Sequence, residues 1–297
     1  MADDKSKSEK AKQDPAKKPA VKKPEQKNAG GKVNVYSLDG NVSKQVELPN
    51  IFLTQFRPDI IRKAVNAARA NRRAPYGPSP TAGIRHAVRQ WGKGRGSARV
   101  QRLTQGAKAA ESPCNVGGRR AHPPRPWRDW SEKINKKERS LALHSAVAAV
   151  SNRKIVSGRG HRLDEKVTLP LVLSNDFESL YDSIKENYEK KGERPAYTKE
   201  TMKILKAVGL ENELDRARNG MHVRAGRGKM RGRRVKSPKS ILFVVKDVEK
   251  TKVCVGNIHG IEVVEPKKLS LELLAPGGDA GRLTVFTEDA LKELGGE

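Results

Sequence analysis

Two glycine-rich stretches hold the residues best suited to chemistry. "WGKGRGSAR" (Trp91–Arg99) and "RAGRGKMRGRR" (Arg224–Arg234) both interleave Gly with Lys and Arg. Glycine and cations together can cradle phosphates, and a dinucleotide fingerprint does so with G-x-G-x-x-G between a strand and a helix. Arg99 and Arg231 stand where that fingerprint needs a small residue, and no strand–helix pattern flanks either stretch. A G-x-x-x-x-G-K-[ST] phosphate loop is also missing. Metal and acid–base chemistry fare no better. His86, His122, His144, His161, His222 and His259 are scattered, and Cys114 and Cys254 form no C-x-x-C. The carboxylates of the first basic stretch, Glu111, Asp129, Glu132 and Glu138, make no close pair of the kind that holds Mg²⁺ or hydrolyses phosphodiesters. The sequence therefore predicts no catalytic site, no metal and no cofactor. What remains is phosphate contact by fixed cations.

The distribution of charge supports that chemistry. Over 297 residues the formal charge is +27, which suits a polyanionic partner or a membrane surface. Residues 69–139 carry 18 Lys+Arg against 4 Asp+Glu, and residues 216–239 carry 10 against none. Residues 1–32 carry 10 against 5, so the remainder is close to neutral. Arginine outnumbers lysine 13 to 5 in 69–139, as bidentate phosphate contact favours and mere solvation does not. Trp91, Trp127 and Trp130, all the tryptophans of the chain, lie there with Tyr76. Aromatic planes stack on unpaired bases at about 1–3 kcal/mol each. Trp127 and Trp130 could instead pin the base of this stretch to the body. No apolar run is long enough to span a bilayer and the N-terminus has no signal-like apolar region, so a reducing cytoplasm is expected.

The candidate RNA contacts are Arg72, Arg73, Tyr76, Arg85, Arg89, Trp91, Lys93, Gly94, Arg95, Gly96, Arg99, Arg102, Lys108, Arg119, Arg120, His122, Arg125 and Arg128. Arg224, Arg227, Lys229, Arg231, Arg233, Arg234 and Lys236 form a second set.

The rest of the chain must position these groups. Residues 1–32, rich in Lys, Pro and Ala, read as a disordered tail, and 33–297 as a single α/β domain. "VNVY" predicts a strand and "LDGN" a turn at Gly40. A helix follows Pro58 with Ile60, Ile61, Ala64, Val65 and Ala68 inward. From about 78 to 135 there is no sustained apolar period, so a loop over about 74–135 is expected to lack regular structure without RNA. Folded out and back between Pro78 and Pro123, each limb has about 22 residues and reaches at most roughly 70 Å. Helical spacing returns at 136–151 with Leu141, Leu143, Ala146, Val147 and Val150 inward. Strands are predicted at 167–173, 241–245, 253–255, 261–264 and 283–286. Helices are predicted at about 177–192, 198–209 (capped by Thr198), 266–274 and 287–294. The alternation implies an α/β fold with an open, mostly parallel sheet, helices on both faces and two basic insertions, the second at about 216–239.

"WGKGRGSAR", "RRAHPPRPWRDWSEKINKKERSLALHSAVAA", "RAGRGKMRGRR" and "ELLAPGGDAGRLTVFTEDAL" resemble the large ribosomal subunit protein four family, most like its archaeal form. The resemblance covers about 33–297. It implies a Rossmann-like body and a long loop running through large-subunit (23S-type) rRNA to the peptide exit tunnel. By motif match the tunnel-lining tip is Gly92, Lys93, Gly94, Arg95, Gly96, Ser97, Ala98 and Arg99. The implied partners are neighbouring ribosomal proteins, including protein twenty-two at the constriction, and the nascent peptide. Two other functions fit the residues: a free RNA chaperone or regulator using the same arms, and an α/β enzyme with RNA-targeting insertions.

Overall fold

The structure is a computed structural model that describes residues 31–192 and 194–296. The predicted tail at 1–32 lies outside the described residues except for its last two, and Lys32 already opens the first strand.

β1 (Lys32–Tyr36) turns back into β2 (Val42–Glu47) through Gly40 at φ +81°, where a Cβ would fall 2.3 Å from the Ala207 carbonyl oxygen. α1 (Pro58–Asn71) starts on its proline and buries Ile61, Ala64, Val65 and Ala67. Ala68, expected inward, faces solvent. Between α1 and the next helix lie β3 (Val88–Gln90) and β4 (Gln101–Leu103), then α2 (Lys136–Ser151) and α3 (Arg153–Gly158). The C-terminal half of α2 is buried all round, whereas Leu141, expected inward, is exposed.

The predicted strand at 167–173 shrinks to β5 (Leu171–Leu173), because Pro170 has no N–H to give to a ladder. α4 (Leu180–Lys191) ends at Gly192, φ +68°, in the left-handed cap expected. α5 (Tyr197–Ala207) starts two residues earlier than a Thr198 cap implies, with Ala196 at the cap position and Thr198 inside the first turn. α6 (Glu211–Asn219), β6 (His222–Val223), β7 (Val235–Lys236) and β8 (Leu242–Val244) follow. The predicted strand at 253–255 is helix, the end of α7 (Val248–Val255). Its buried residues Thr251, Cys254 and Val255 are three and four apart, a helical face that the short Val-Cys-Val run disguises. β9 (Glu262–Val264), α8 (Leu271–Leu274), β10 (Thr284–Thr287) and α9 (Glu288–Gly295) complete the order.

The main sheet has six strands in the order β2-β1-β5-β10-β8-β9, all neighbours parallel except β1 and β2. The last strand sits at the centre, unlike the 3-2-1-4-5-6 order of dinucleotide-binding sheets. Side chains alternate strictly. Val172, Leu242, Val244 and Phe286 meet α1, α2, α8 and α9, while Leu171, Leu173, Phe243 and Val285 meet α3 to α7. Both faces are thus covered by helices, as parallel strands require.

Charged side chains are also buried where β8 begins. Glu213 of α6 is fully buried and takes hydrogen bonds from Ser240 Oγ at 2.8 Å, Arg216 Nη2 at 2.6 Å and the Arg162 amide at 3.0 Å, with His161 Nδ1 at 2.8 Å. Arg282, also fully buried, gives Nε to the Ser240 carbonyl at 2.7 Å and Nη1 to Glu262. Ser240 thus joins the two networks. Burial alone would raise the Glu213 pKa, but the hydrogen bonds with Arg216 and His161 hold it at about 2.

The sign of the linkage follows. Glu213 stabilises the fold fully above its ordinary pKa of 4.5 and loses that contribution as pH falls through about 2. The difference corresponds to stabilisation on the order of 3 kcal/mol. Glu213→Gln is expected to lose about that much in denaturant titrations at pH 7 and to converge on the parent near pH 2. An equal gap at both pH values would contradict the assignment.

Candidate nucleic-acid interface

The first basic stretch leaves the body at a fastened root. Arg72 caps the C-terminus of α1 and pairs with Glu272 at 2.6 Å, while Asn71 Oδ1 accepts the Glu132 amide at 2.8 Å. Trp130 is half-buried with the guanidinium of Arg73 4.0 Å and that of Arg128 4.4 Å from its ring centre. Trp130 therefore pins the root. Trp127 is 60% exposed with only Arg125 over its ring, at 5.2 Å, and does not.

Beyond the root the chain is not structureless, which corrects the expectation for 78–135. β3 and β4 form an antiparallel hairpin pairing Val88 with Leu103 and Gln90 with Gln101. A third layer joins through Ala110, whose amide donates to the Gln101 carbonyl at 2.9 Å, and through the Leu103 amide to the Lys108 carbonyl at 3.0 Å. Three-residue strands with both faces wet leave no alternation to detect. At the tip Gly92, Gly94 and Gly96 take φ of +68°, +82° and +60° with open space around each Cα. They serve backbone conformation there rather than close packing.

Trp91 sits half-buried between Arg95 and Arg102, whose guanidinium carbons lie 5.1 and 5.0 Å from its ring centre. Arg102 also donates to the carbonyls of Ala107 at 2.6 Å and Ala98 at 3.2 Å. Its guanidinium is committed to the hairpin.

The second stretch has the same construction on a smaller scale. β6 and β7 pair antiparallel, and a single helical turn at Arg227–Arg231 lies between Gly226 at φ +79° and Gly232 at φ +75°. Arg224 donates Nη2 to the Val235 carbonyl at 3.2 Å and packs under Gly228. The root is clamped by Arg216, which grips Glu213 and gives Nη2 to the Lys239 carbonyl at 3.0 Å.

Among the described residues, no ion pair involves any side chain from 73 to 137 or from 217 to 238. Arg85, Arg89, Lys93, Arg95, Arg99, Lys108, Arg119, Arg120, His122, Arg125 and Arg128 are all exposed, as are Arg227, Lys229, Arg231, Arg233, Arg234 and Lys236. Arg72, Arg73, Arg102 and Arg224 are engaged internally instead. Sequence reasoning overlooked Gly77 and Gly83, where the two limbs touch backbone to backbone. Their prolific Gly and Pro surroundings signalled a loop but not a contact. Among the described residues, no three His, Cys, Asp or Glu side chains are placed to hold a metal, and no helix is long and apolar enough to cross a membrane.

Arg102→Ala is expected to uncover Trp91, shift its emission to longer wavelength and speed amide exchange at Leu103 and Ala110. The hairpin should lose about 1 kcal/mol while the body's melting midpoint holds. Fluorescence and hydrogen exchange check this; unchanged exchange would remove Arg102 from its keystone role.

Residues 46–297 match the ribosomal protein L4/L1 family. The chain is 44% identical over 264 residues to large ribosomal subunit protein uL4 of Archaeoglobus fulgidus, covering 89% of this chain and 98% of that one. It is 41% identical to uL4 of Methanosphaera stadtmanae over 264 residues, covering 89% and 96%. It is 44% identical to uL4 of Methanococcus vannielii over 262 residues, covering 88% and 98%. With the family matched over most of its length by a basic, doubly armed α/β chain, the protein belongs to the ribosomal protein L4/L1 family.

Proposed function

We propose that the protein is a structural, non-catalytic constituent of the large ribosomal subunit that binds large-subunit rRNA through both basic segments. One observation carries this: among the described residues no Lys or Arg from 73 to 137 or from 217 to 238 meets a carboxylate and, Arg102 and Arg224 apart, all of them are exposed, whereas the body holds ion pairs such as Lys44–Glu288, Arg62–Asp279 and Lys267–Glu293. A free arginine fork is matched to phosphate, and each phosphate neutralised releases a counterion. In this reading 33–297 is one Rossmann-like domain held at the outside of the subunit, next to other ribosomal proteins. The loop of about 74–135 penetrates rRNA and the segment of about 216–239 makes a second contact. The tip from Gly92 to Arg99 lines the peptide exit tunnel beside protein twenty-two, where its small side chains leave room for a nascent peptide.

Sedimentation tests the core of this proposal. The protein is expected to stay with large subunits through a high-salt wash, and a salt-labile free pool bound to assorted RNAs would favour the chaperone alternative. A chain lacking 90–100 should still fold and assemble, while the particle changes its sensitivity to tunnel-binding drugs. Replacing Arg227, Arg231, Arg233 and Arg234 with Ala should flatten the salt dependence of RNA binding by about 0.7–0.9 log units per lost phosphate contact. A slope that stays the same would exclude the second segment as a phosphate contact.

A further inference from the structure

Between its root and its hairpin the loop encloses a cleft that phosphate contact alone does not explain. Its two limbs touch at two places. A Cβ on Gly77 would fall 2.5 Å from the Pro124 carbonyl oxygen, and one on Gly83 would fall 2.9 Å from the Arg119 Cα. Only glycine allows backbones that close. Between these contacts the limbs part around a cleft of about 580 Å³, within the roughly 300–1,000 Å³ range of pockets that take one small ligand.

The lining is chemically one-sided. Prolines from both limbs make stiff apolar walls, since their rings fix φ. Tyr76 and Trp127 contribute aromatic faces, and Arg119, Arg120 and Arg125 line it with no carboxylate among their neighbours in the cleft. Tyr76 is 80% exposed, and among the described residues its hydroxyl makes no hydrogen bond and neither ring stacks on another aromatic. Tyr76 and Trp127, the latter with Arg125 over its ring, offer exposed flat faces on which a base can stack, and three cations without counter-charge suit an anion. A nucleotide supplies both, a flat apolar base and a phosphate. A base still paired in a duplex offers its edge but not its face, so only an unpaired one satisfies the rings.

We propose that this cleft is a pocket for a single unpaired nucleotide of RNA. Its base stacks against Tyr76 or Trp127, and its phosphate is held by Arg119, Arg120 and Arg125. This rests on the RNA-binding reading of the loop but adds a selectivity that the exposed cations do not have.

The test uses the full-length chain and fluorescently labelled RNA stem-loops that differ only in one bulged nucleotide. The bulged RNA is expected to bind about tenfold tighter than the fully paired one, as one stacked base implies. An abasic nucleotide at the bulge should abolish the preference. The double substitution Tyr76→Ala, Trp127→Ala should abolish it too, so that bulged and paired RNA bind alike. Both side chains are exposed, so the variant retains its fold, which a melting curve verifies. Equal binding of bulged and paired RNA by the parent would overturn the pocket and leave the RNA-binding function standing. So would a preference that survives the abasic control, or displacement of the bulged RNA by polyglutamate as readily, charge for charge, as by unlabelled bulged RNA. Binding of neither RNA at low salt would overturn both.

Discussion

Repulsion among like charges is the constraint on which the architecture depends. A chain of net charge +27 brings its cations together only at an electrostatic cost unless carboxylates or a foreign anion stand between them. The protein resolves this by segregation. Its carboxylates are concentrated in the body, where Glu213, Glu262, Glu272 and Glu288 each hold a cation. The arms are left almost without them. An arm so composed cannot collapse into a core of its own, because bringing its arginines together would cost more than its few apolar groups return. It must be held by forces that do not require burial.

Those forces are visible and they are local. Each arm is tied into a short antiparallel ladder, turned by glycines at positive φ, and locked by one arginine donating to backbone carbonyls, Arg102 in the first arm and Arg224 in the second. Cation–π contact lets Trp91 sit amid positive charge without a core around it. The roots use the opposite chemistry, buried or paired charge: Arg72 with Glu272 at the first, and Arg216 with Glu213 at the second. Because Arg282 meets Ser240 from the other side, the second arm is anchored to the central strands of the sheet and not to a peripheral loop.

What could be read from the residues divides along the same line. Burial leaves a pattern in sequence, a helical period in α1 and α2, an alternation in β1 and short apolar runs in β8, β9 and β10, so these elements are legible from their Val, Ile, Leu and Ala. Errors fell where the periodic signal was short or contradicted, as with the Val-Cys-Val end of α7 and the proline that truncates β5. β2 went unseen because its residues are nearly all exposed, and α6 because its polar residues mask the inward Leu214 and Ala217. In the arms the composition disclosed the chemistry, cations with aromatics and no acid, but not the geometry. Hydrogen bonds between backbones have no residue signature. Nothing in the type of Arg102 separates it from Arg99, although one braces the hairpin and the other is exposed.

This distinction bears on how the arms would meet RNA in the proposed role. An arm with no shape of its own would lose the ordering entropy of every residue on binding, about 1–2 kcal/mol per backbone position. An arm fully fixed in advance could not thread a crowded polyanion. A two-stranded hairpin is marginally stable by itself in water, so the ladder, the glycine turns and the Arg102 brace bias the loop toward a shape without making it rigid. A polyanion binding the arm in the proposed role would then select from an ensemble already weighted toward one shape, and its phosphates would supply the counter-charge the arm lacks. The arginines of the arms thus divide by their surroundings: Arg102 and Arg224 hold the backbone, and Arg95, Arg99 and Arg227 are presented by it to solvent.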